Sequence, residues 1–397
     1  MGATPPLYTI MWIFLYIYIA LTSILVLPIN NGFLFPKEMV FFIGGMTMLS
    51  LPHILQKPKY DVFSNRYIGL ILLYVVLSFG WYFYMPMLKM PIKWNLWNYL
   101  PTINVILTIF LIQSLIEHTD HLQRWLDVSK FLCWFAFILS IYAIIQFCGL
   151  DQIFDFNFNW TYPVTPHVTD RFVFWRMITF FGNPKETATF LTIIAPLCLM
   201  FKDFRYKVFY LTIIFAVILT KNDWAFIYLG ISIILYFLFT KKIRLSGLLF
   251  LLFSAFYLYL YFNNCQTCLN LHGKLGLWKE IWLSGCKKLF TGSGLGSFGI
   301  KNFAVGVYPA KNAMFDLLQI FHDGGIILVG LIIAYLLNLA KRIYLAKKNM
   351  LLIGYTISFI TFLCFSVGAW VTYFAPCALL GILNISAIET IVSQKEE

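Results

Sequence analysis

The feature that most restricts this chain recurs along its whole length. Apolar runs of roughly 18 to 22 residues alternate with short turns carrying Lys and Arg, and each run can cross a bilayer core of about 30 Å as a helix. In hydrocarbon every backbone N–H and C=O must be satisfied within the span, which favours α-helix for runs of this length. The runs fall near 8–29, 36–54, 66–87, 97–117, 126–149, 178–200, 206–220, 224–240, 245–262, 314–339, 351–370 and 372–391. The expected fold class is all-α: a polytopic transmembrane helical bundle of about twelve spans, forming a single integral membrane domain over 1–397. The first run, Ile10 to Leu27, lacks a basic leading segment and a small-residue cleavage site, so it reads as a retained helix rather than a signal peptide.

Composition supports the same class. With 60% hydrophobic and 12% charged residues and a mean hydropathy of +0.80, the chain lies outside the range of soluble domains. Its net charge of +12 acquires meaning only when sorted by side of the membrane. With the N-terminus cytoplasmic, the inner turns carry Lys57, Lys59, Arg66 and Arg124, then Lys202, Arg205 and Lys207. Lys241, Lys242 and Arg244 follow, then Lys341, Arg342, Lys347 and Lys348. Inverting the topology would export all these cations, so both termini are expected in the cytoplasm.

Two longer segments then fall outside, 150–177 and 263–313, the second a large outer loop between the ninth and tenth spans. The second carries Lys274, Lys279, Lys287, Lys288, Lys301 and Lys311 against Glu280 alone. Long exported loops can escape the charge rule, which accounts for these lysines without any ligand. They also suit a cationic platform for an anionic ligand at the outer face. Both readings stand at this level.

Of eight cysteines, Cys133, Cys148, Cys198, Cys364 and Cys377 lie in or beside spans and read as small packing residues. Cys265, Cys268 and Cys286 fall in the second outer segment, where an oxidising exterior permits a disulfide from Cys286 to one of the other two. Cys265 and Cys268 with His272 lack the second half of a structural zinc site. No metal or other cofactor is therefore expected. No nucleic-acid module is legible either.

The densest polar island is Trp175 to Leu191. Arg176 leads into the turn Gly182-Asn183-Pro184, and Lys185-Glu186 follows where a span should begin. Ionisable groups at the mouth of a membrane helix are costly and usually face a cavity or a partner. Further polar segments are Leu219-Thr220-Lys221-Asn222-Asp223-Trp224-Ala225-Phe226, the stretch from Lys274 through Trp278 to Gly292-Ser-Gly294-Leu-Gly296-Ser-Phe298, and Asp316-Leu-Leu-Gln319-Ile-Phe-His322-Asp323-Gly-Gly325.

Taken in order, these segments resemble the O-antigen ligase/polymerase superfamily of bacterial membrane glycosyltransferases. The resemblance covers roughly residues 170–335. The family's Arg…Phe-Gly-Asn-Pro signature is matched at Arg176 and Phe181 to Pro184, and its Pro-Leu-x-Gly-x-Gly-x-Gly-x-Phe loop at Lys288 to Phe298. The chain departs from the family at Asn222-Asp223-Trp224, where Ser-Arg-Gly is usual. It departs again at Lys274 and Lys288, which replace an arginine and a proline. Depending on the alignment, Met314-Phe315 or Lys311-Asn312 stands where the family has His-Asn.

The resemblance implies transfer of a glycan from an undecaprenyl-diphosphate carrier to an acceptor hydroxyl, on lipid A-core or a growing glycan, at the outer face of the bacterial inner membrane. A ligase and a polymerase share the same polar segments, and a lipid or sugar transporter is the competing class. A diphosphate leaving group gains negative charge in the transition state and needs fixed cations. Arg176, Lys185 and Lys221 suit that task, with Lys274 and Asn183 as further donor-binding groups. Gly292, Gly294 and Gly296 would let backbone approach the glycan or diphosphate closely. His322 and Asp323 are candidates to orient and deprotonate the acceptor. Adjacent residues of a regular helix point about 100° apart, so no direct His322–Asp323 bond is expected.

Overall fold

In a computed structural model the residues described are 121–148, 184–220, 223–262, 271–294, 316–346, 349–364 and 375–393. Scattered positions at 13–33, 66–77 and 304–309 add to these. Among them the chain forms nine helices and two short antiparallel pairs. The helices are α1 (His121–Phe147), α2 (Pro184–Cys198), α3 (Phe204–Leu219), α4 (Asp223–Phe239), α5 (Ile243–Phe262), α6 (Leu271–Cys286), α7 (Asp316–Leu345), α8 (Met350–Cys364) and α9 (Ala375–Ser393). Strands β1 (Pro28–Ile29) and β2 (Gly32–Phe33) pair with each other, as do β3 (Ala304–Val305) and β4 (Tyr308–Pro309).

Eight of these helices fall where the apolar runs predict them. Their ends differ for a physical reason. The apolar run locates the greasy part of a helix, whereas hydrogen bonding continues into polar flanks. Thus α1 starts at His121, ahead of the expected 126, through a turn in which Asp127 binds Gln123 at 3.1 Å and Lys130 at 3.2 Å. The described part of α2 begins at Pro184, within the expected run; proline suits the first helical position because its missing N–H would be unpaired there anyway. Within the expected outer segment 263–313 lie the 16-residue α6 and the β3–β4 pair.

The described chain divides into two compact units. The first contains α1 to α5 and α8. Its central element is α2, whose residues Thr187 to Cys198 are all buried, packed by α1, α3, α4 and α8. Helix α8 is fastened by buried hydroxyls. Tyr355 donates to the Trp125 carbonyl at 3.0 Å and accepts from Ser129 at 2.8 Å, while Ser358 donates to the Ile193 carbonyl at 2.7 Å. Outside this packed centre the surface is apolar. Along α3, Phe204, Val208, Leu211, Phe215 and Ile218 form an exposed stripe opposite the buried Phe209, Ile213, Ala216 and Val217. A helix that is hydrophobic on both faces does not suit water.

The second unit contains α6, α7 and α9. Helix α7 is joined to α9 by Glu389, which accepts from Tyr335 at 3.1 Å and pairs with Arg342. Two helical stretches, Leu122–Ile145 in α1 and Leu317–Leu345 in α7, are long and apolar enough to cross a membrane.

Candidate functional site at a helix break

The structure brings four of the ten candidate residues together, all in the second unit: Gly292, Gly294, His322 and Asp323. Arg176, Asn183, Lys221 and Gly296 lie outside the described residues. Lys185 is the second residue of α2 and Lys274 the fourth of α6, with side chains outside the described set.

The site is built where α7 stops being a regular helix. Gly325 adopts φ 68° and ψ −172° inside it. In a continuous helix the Ile326 amide would donate to the His322 carbonyl. Here it donates to the Leu289 carbonyl at 2.8 Å. The carbonyls of His322 and Asp323 instead accept from the Ser293 and Gly294 amides, at 2.8 and 2.9 Å. The chain leaving α6 thus lies across the break and supplies the partners that the helix gives up. Buried backbone groups are almost always paired, and here the pairing crosses between segments about thirty residues apart.

Only glycine allows the two backbones to come this close. A Cβ at Gly292, where φ is +68°, would stand 2.4 Å from the Asp323 carbonyl oxygen, and one at Gly325 would stand 2.2 Å from that of Phe290. Both positions also need the left-handed region that other residues rarely adopt. Gly292 was expected to admit a ligand; what it admits here is the broken helix.

Residues 319–325 of α7 are all buried, among them Gln319, His322 and Asp323 at i, i+3 and i+4. His322 and Asp323 pair directly, Nδ1 to Oδ1 at 2.7 Å, with both side chains wholly buried. This corrects the expectation that they would point apart. That expectation rested on side-chain directions in a regular helix; here the pair forms just before the non-helical Gly325. With the carboxylate on Nδ1, the neutral imidazole carries its proton on that atom and its basic lone pair on Nε2. The arrangement can fix a tautomer and stabilise an imidazolium, the task a buried carboxylate performs for a catalytic histidine.

A third segment reaches the crossing. Tyr74 donates to the Gly324 carbonyl at 2.5 Å, and the Thr291 carbonyl lies 3.3 Å from the same hydroxyl. Sequence reading missed this residue, whose half-buried place only the structure shows. Leu70, Leu73 and Leu77 form an exposed apolar stripe while Tyr67, Ile71 and Tyr74 lie half-buried on the other side, and a half-buried tyrosine usually has a partner for its hydroxyl. Beside the crossing, Trp282 of α6 stacks on Phe321 of α7, with ring centroids 4.8 Å apart.

Among the described residues no group of three or more His, Cys, Asp and Glu side chains converges as a metal site. Cys286, at the end of α6, is an exposed free thiol rather than half of a disulfide; Cys133, Cys198 and Cys377 are buried, as packing residues should be, and Cys148 is exposed. No family model and no curated protein sequence matches the chain.

Proposed function

We propose that the chain is a polytopic glycosyltransferase of the bacterial inner membrane. It moves a glycan from an undecaprenyl-diphosphate carrier to an acceptor hydroxyl at the outer face, on lipid A-core or a growing glycan. The observation that carries this reading is the crossing itself. The glycine-rich segment and the His322–Asp323 segment, both expected from the sequence to serve one site, meet in hydrogen-bonded contact.

The length of α7 favours the outer face. From Gly325 to Arg342 the helix rises about 25 Å at about 1.5 Å per residue, close to the thickness of a bilayer core. Arg342 at the inner surface, as the positive-inside rule asks, leaves the break near the outer surface. About twelve spans with both termini cytoplasmic complete the proposed topology.

In the proposed reaction the acceptor oxygen bonds to the anomeric carbon while the bond from that carbon to the diphosphate oxygen breaks. The acceptor proton passes to His322 Nε2, and Asp323 stabilises the resulting imidazolium. Undecaprenyl diphosphate leaves as an anion and needs fixed cations, the role the resemblance implies for Arg176, Lys185 and Lys221; one preorganised donor of this kind is worth about 3 kcal/mol in the barrier. These cations take the place of a metal ion, so transfer should survive EDTA.

The test is transfer by purified protein from an undecaprenyl-diphosphate glycan. Transfer with release of undecaprenyl diphosphate, abolished in Arg176→Ala while the variant still inserts, supports the reading. Donor binding without turnover in the wild type sinks it. One observation favours a second reading. A broken helix with buried ionisable groups is also how many transporters build a substrate site, though typically at mid-membrane. Uptake of free sugar or lipid into proteoliposomes, without glycan transfer, would select that class.

A further inference from the structure

We propose that the exposed side of α6 and the turn after it form a docking site for the outer leaflet. Trp282, Leu283, Leu289 and Phe290 lie among acyl chains, and Lys279, Lys287 and Lys288 bind the phosphates of anionic phospholipids. The inference rests on the reading above only in placing the helix break near the outer surface of a bilayer, not in its chemistry.

Helix α6 is apolar on two sides that meet different surroundings. Leu277, Ile281 and Gly285, at i, i+4 and i+8, are buried, and a Cβ at Gly285 would stand 2.6 Å from the Phe321 ring of α7. Leu275, Lys279, Trp282, Leu283 and Cys286, at i, i+4, i+7, i+8 and i+11, are exposed and by the helical period share one broad face. Lys287, Lys288, Leu289 and Phe290 continue that exposure past the helix end. Trp282, Leu283 and Phe290 are 53%, 54% and 65% exposed. So dense a group of large apolar side chains is rare on a surface that faces water.

The charges on this face choose its occupant. Lys279, Lys287 and Lys288 are exposed and pair with no acid among the described residues, and Glu280 is the one acid within 275–290. Tryptophan and large apolar side chains mixed with lysines match the boundary between acyl chains and headgroups, where lysine stems lie along apolar surface and their ammonium groups reach phosphate. A neutral protein surface would cover the apolar residues but leave the lysines without counter-charge; an anionic leaflet serves both. The depth agrees. The Leu289 carbonyl accepts from the Ile326 amide at 2.8 Å, and Gly325 lies against the Phe290 carbonyl. The turn after α6 is therefore level with the break, about 25 Å along α7 from Arg342, where the outer headgroups begin.

The experiment places the full-length protein in phosphatidylcholine nanodiscs holding a small fraction of one of two diazirine-tagged lipids, phosphatidylglycerol or phosphatidylcholine. After photolysis, mass spectrometry reads the lipid attached to the peptide over 275–290. Both lipids are expected to label it, phosphatidylglycerol strongly preferred. In the double variant Lys287→Gln with Lys288→Gln that preference should fall about twentyfold, because each lysine near anionic headgroups is worth about fivefold in binding. Labelling of α3 over 211–218 should not change. No label from either lipid overturns the docking site, and equal labelling by both overturns the role of the lysines. Loss of the phosphatidylglycerol label on adding equimolar undecaprenyl diphosphate would hand the patch to the donor and overturn the proposal as well. A wild type that transfers no glycan would remove the proposed function, while the labelling still decides the docking site.

Discussion

Residues Thr187 to Cys198 of helix α2 in the first unit and residues 319–325 of α7 in the second are all buried, and both stretches carry polar residues. They solve the same problem differently. Thr192 of α2 donates to the Ala188 carbonyl one turn back at 2.7 Å, so that hydroxyl is satisfied within its own helix, which stays continuous. Helix α7 gives two carbonyls and one amide to another segment and breaks at Gly325. A helix without such a break can be buried as a post. One whose backbone depends on a loop can be rearranged, and for that reason the break, rather than α2, is the better place to look for chemistry.

The contrast can be broken in several places. The largest expected effect is on activity: His322→Gln should lower kcat by about 100- to 10,000-fold in the transfer assay, the usual worth of a positioned acid–base group. Near-normal turnover would demote the pair to a structural role. Next in size is Gly325→Ala, which sets a Cβ against the Phe290 carbonyl at a positive-φ position. It should cost about 3 kcal/mol or more, read as a lowered thermal midpoint in detergent. Gly330→Ala on the same helix, where an added Cβ meets nothing within 4 Å, should be close to neutral. Equal effects at the two glycines would mean that the break does not depend on close approach.

Smaller effects sharpen the picture of the first unit. The Tyr210 hydroxyl is buried with no hydrogen-bond partner among the described residues, so Tyr210→Phe should raise the thermal midpoint, by about 1 kcal/mol of stability. Thr192→Val should change stability by less than about 1 kcal/mol, because the Ala188 carbonyl keeps its helical amide; a large loss would show that α2 is not self-sufficient. Smallest is the cap of α3. Backbone and side-chain bonds from Arg205 hold the Asp203 carboxyl below its usual range. Because the folded pKa is the lower one, this cap adds stability above the ordinary carboxylate pKa of about 3.9 and loses it as pH falls further. A melting-versus-pH curve should be flatter in Asp203→Asn.

The helices were legible because their cause is local. Apolar runs long enough to need internal hydrogen bonding name themselves, and Pro184 suits the helix start that the structure describes. Gly292, Gly294, His322 and Asp323 were legible as residues that a site would need, but not as neighbours of this kind. The His322–Asp323 bond is not what adjacent positions on a regular helix suggest, and only the structure shows it. Helix α6 escaped notice because its apolar residues are split between a buried side, with Leu277 and Ile281, and an exposed one, with Leu275, Trp282 and Leu283. A search for unbroken apolar runs passes over such a pattern.

By itself, then, the sequence determined an all-helical chain, the placing of its apolar helices and the residue types available for chemistry, since hydropathy and backbone satisfaction act over a few turns. Only the tertiary structure decided that α2 would be wholly enclosed, that α7 would break at Gly325, and that Tyr74 would tie the break to the glycine loop. Those outcomes depend on which distant carbonyl each orphaned amide finds, and no stretch of sequence carries that information alone.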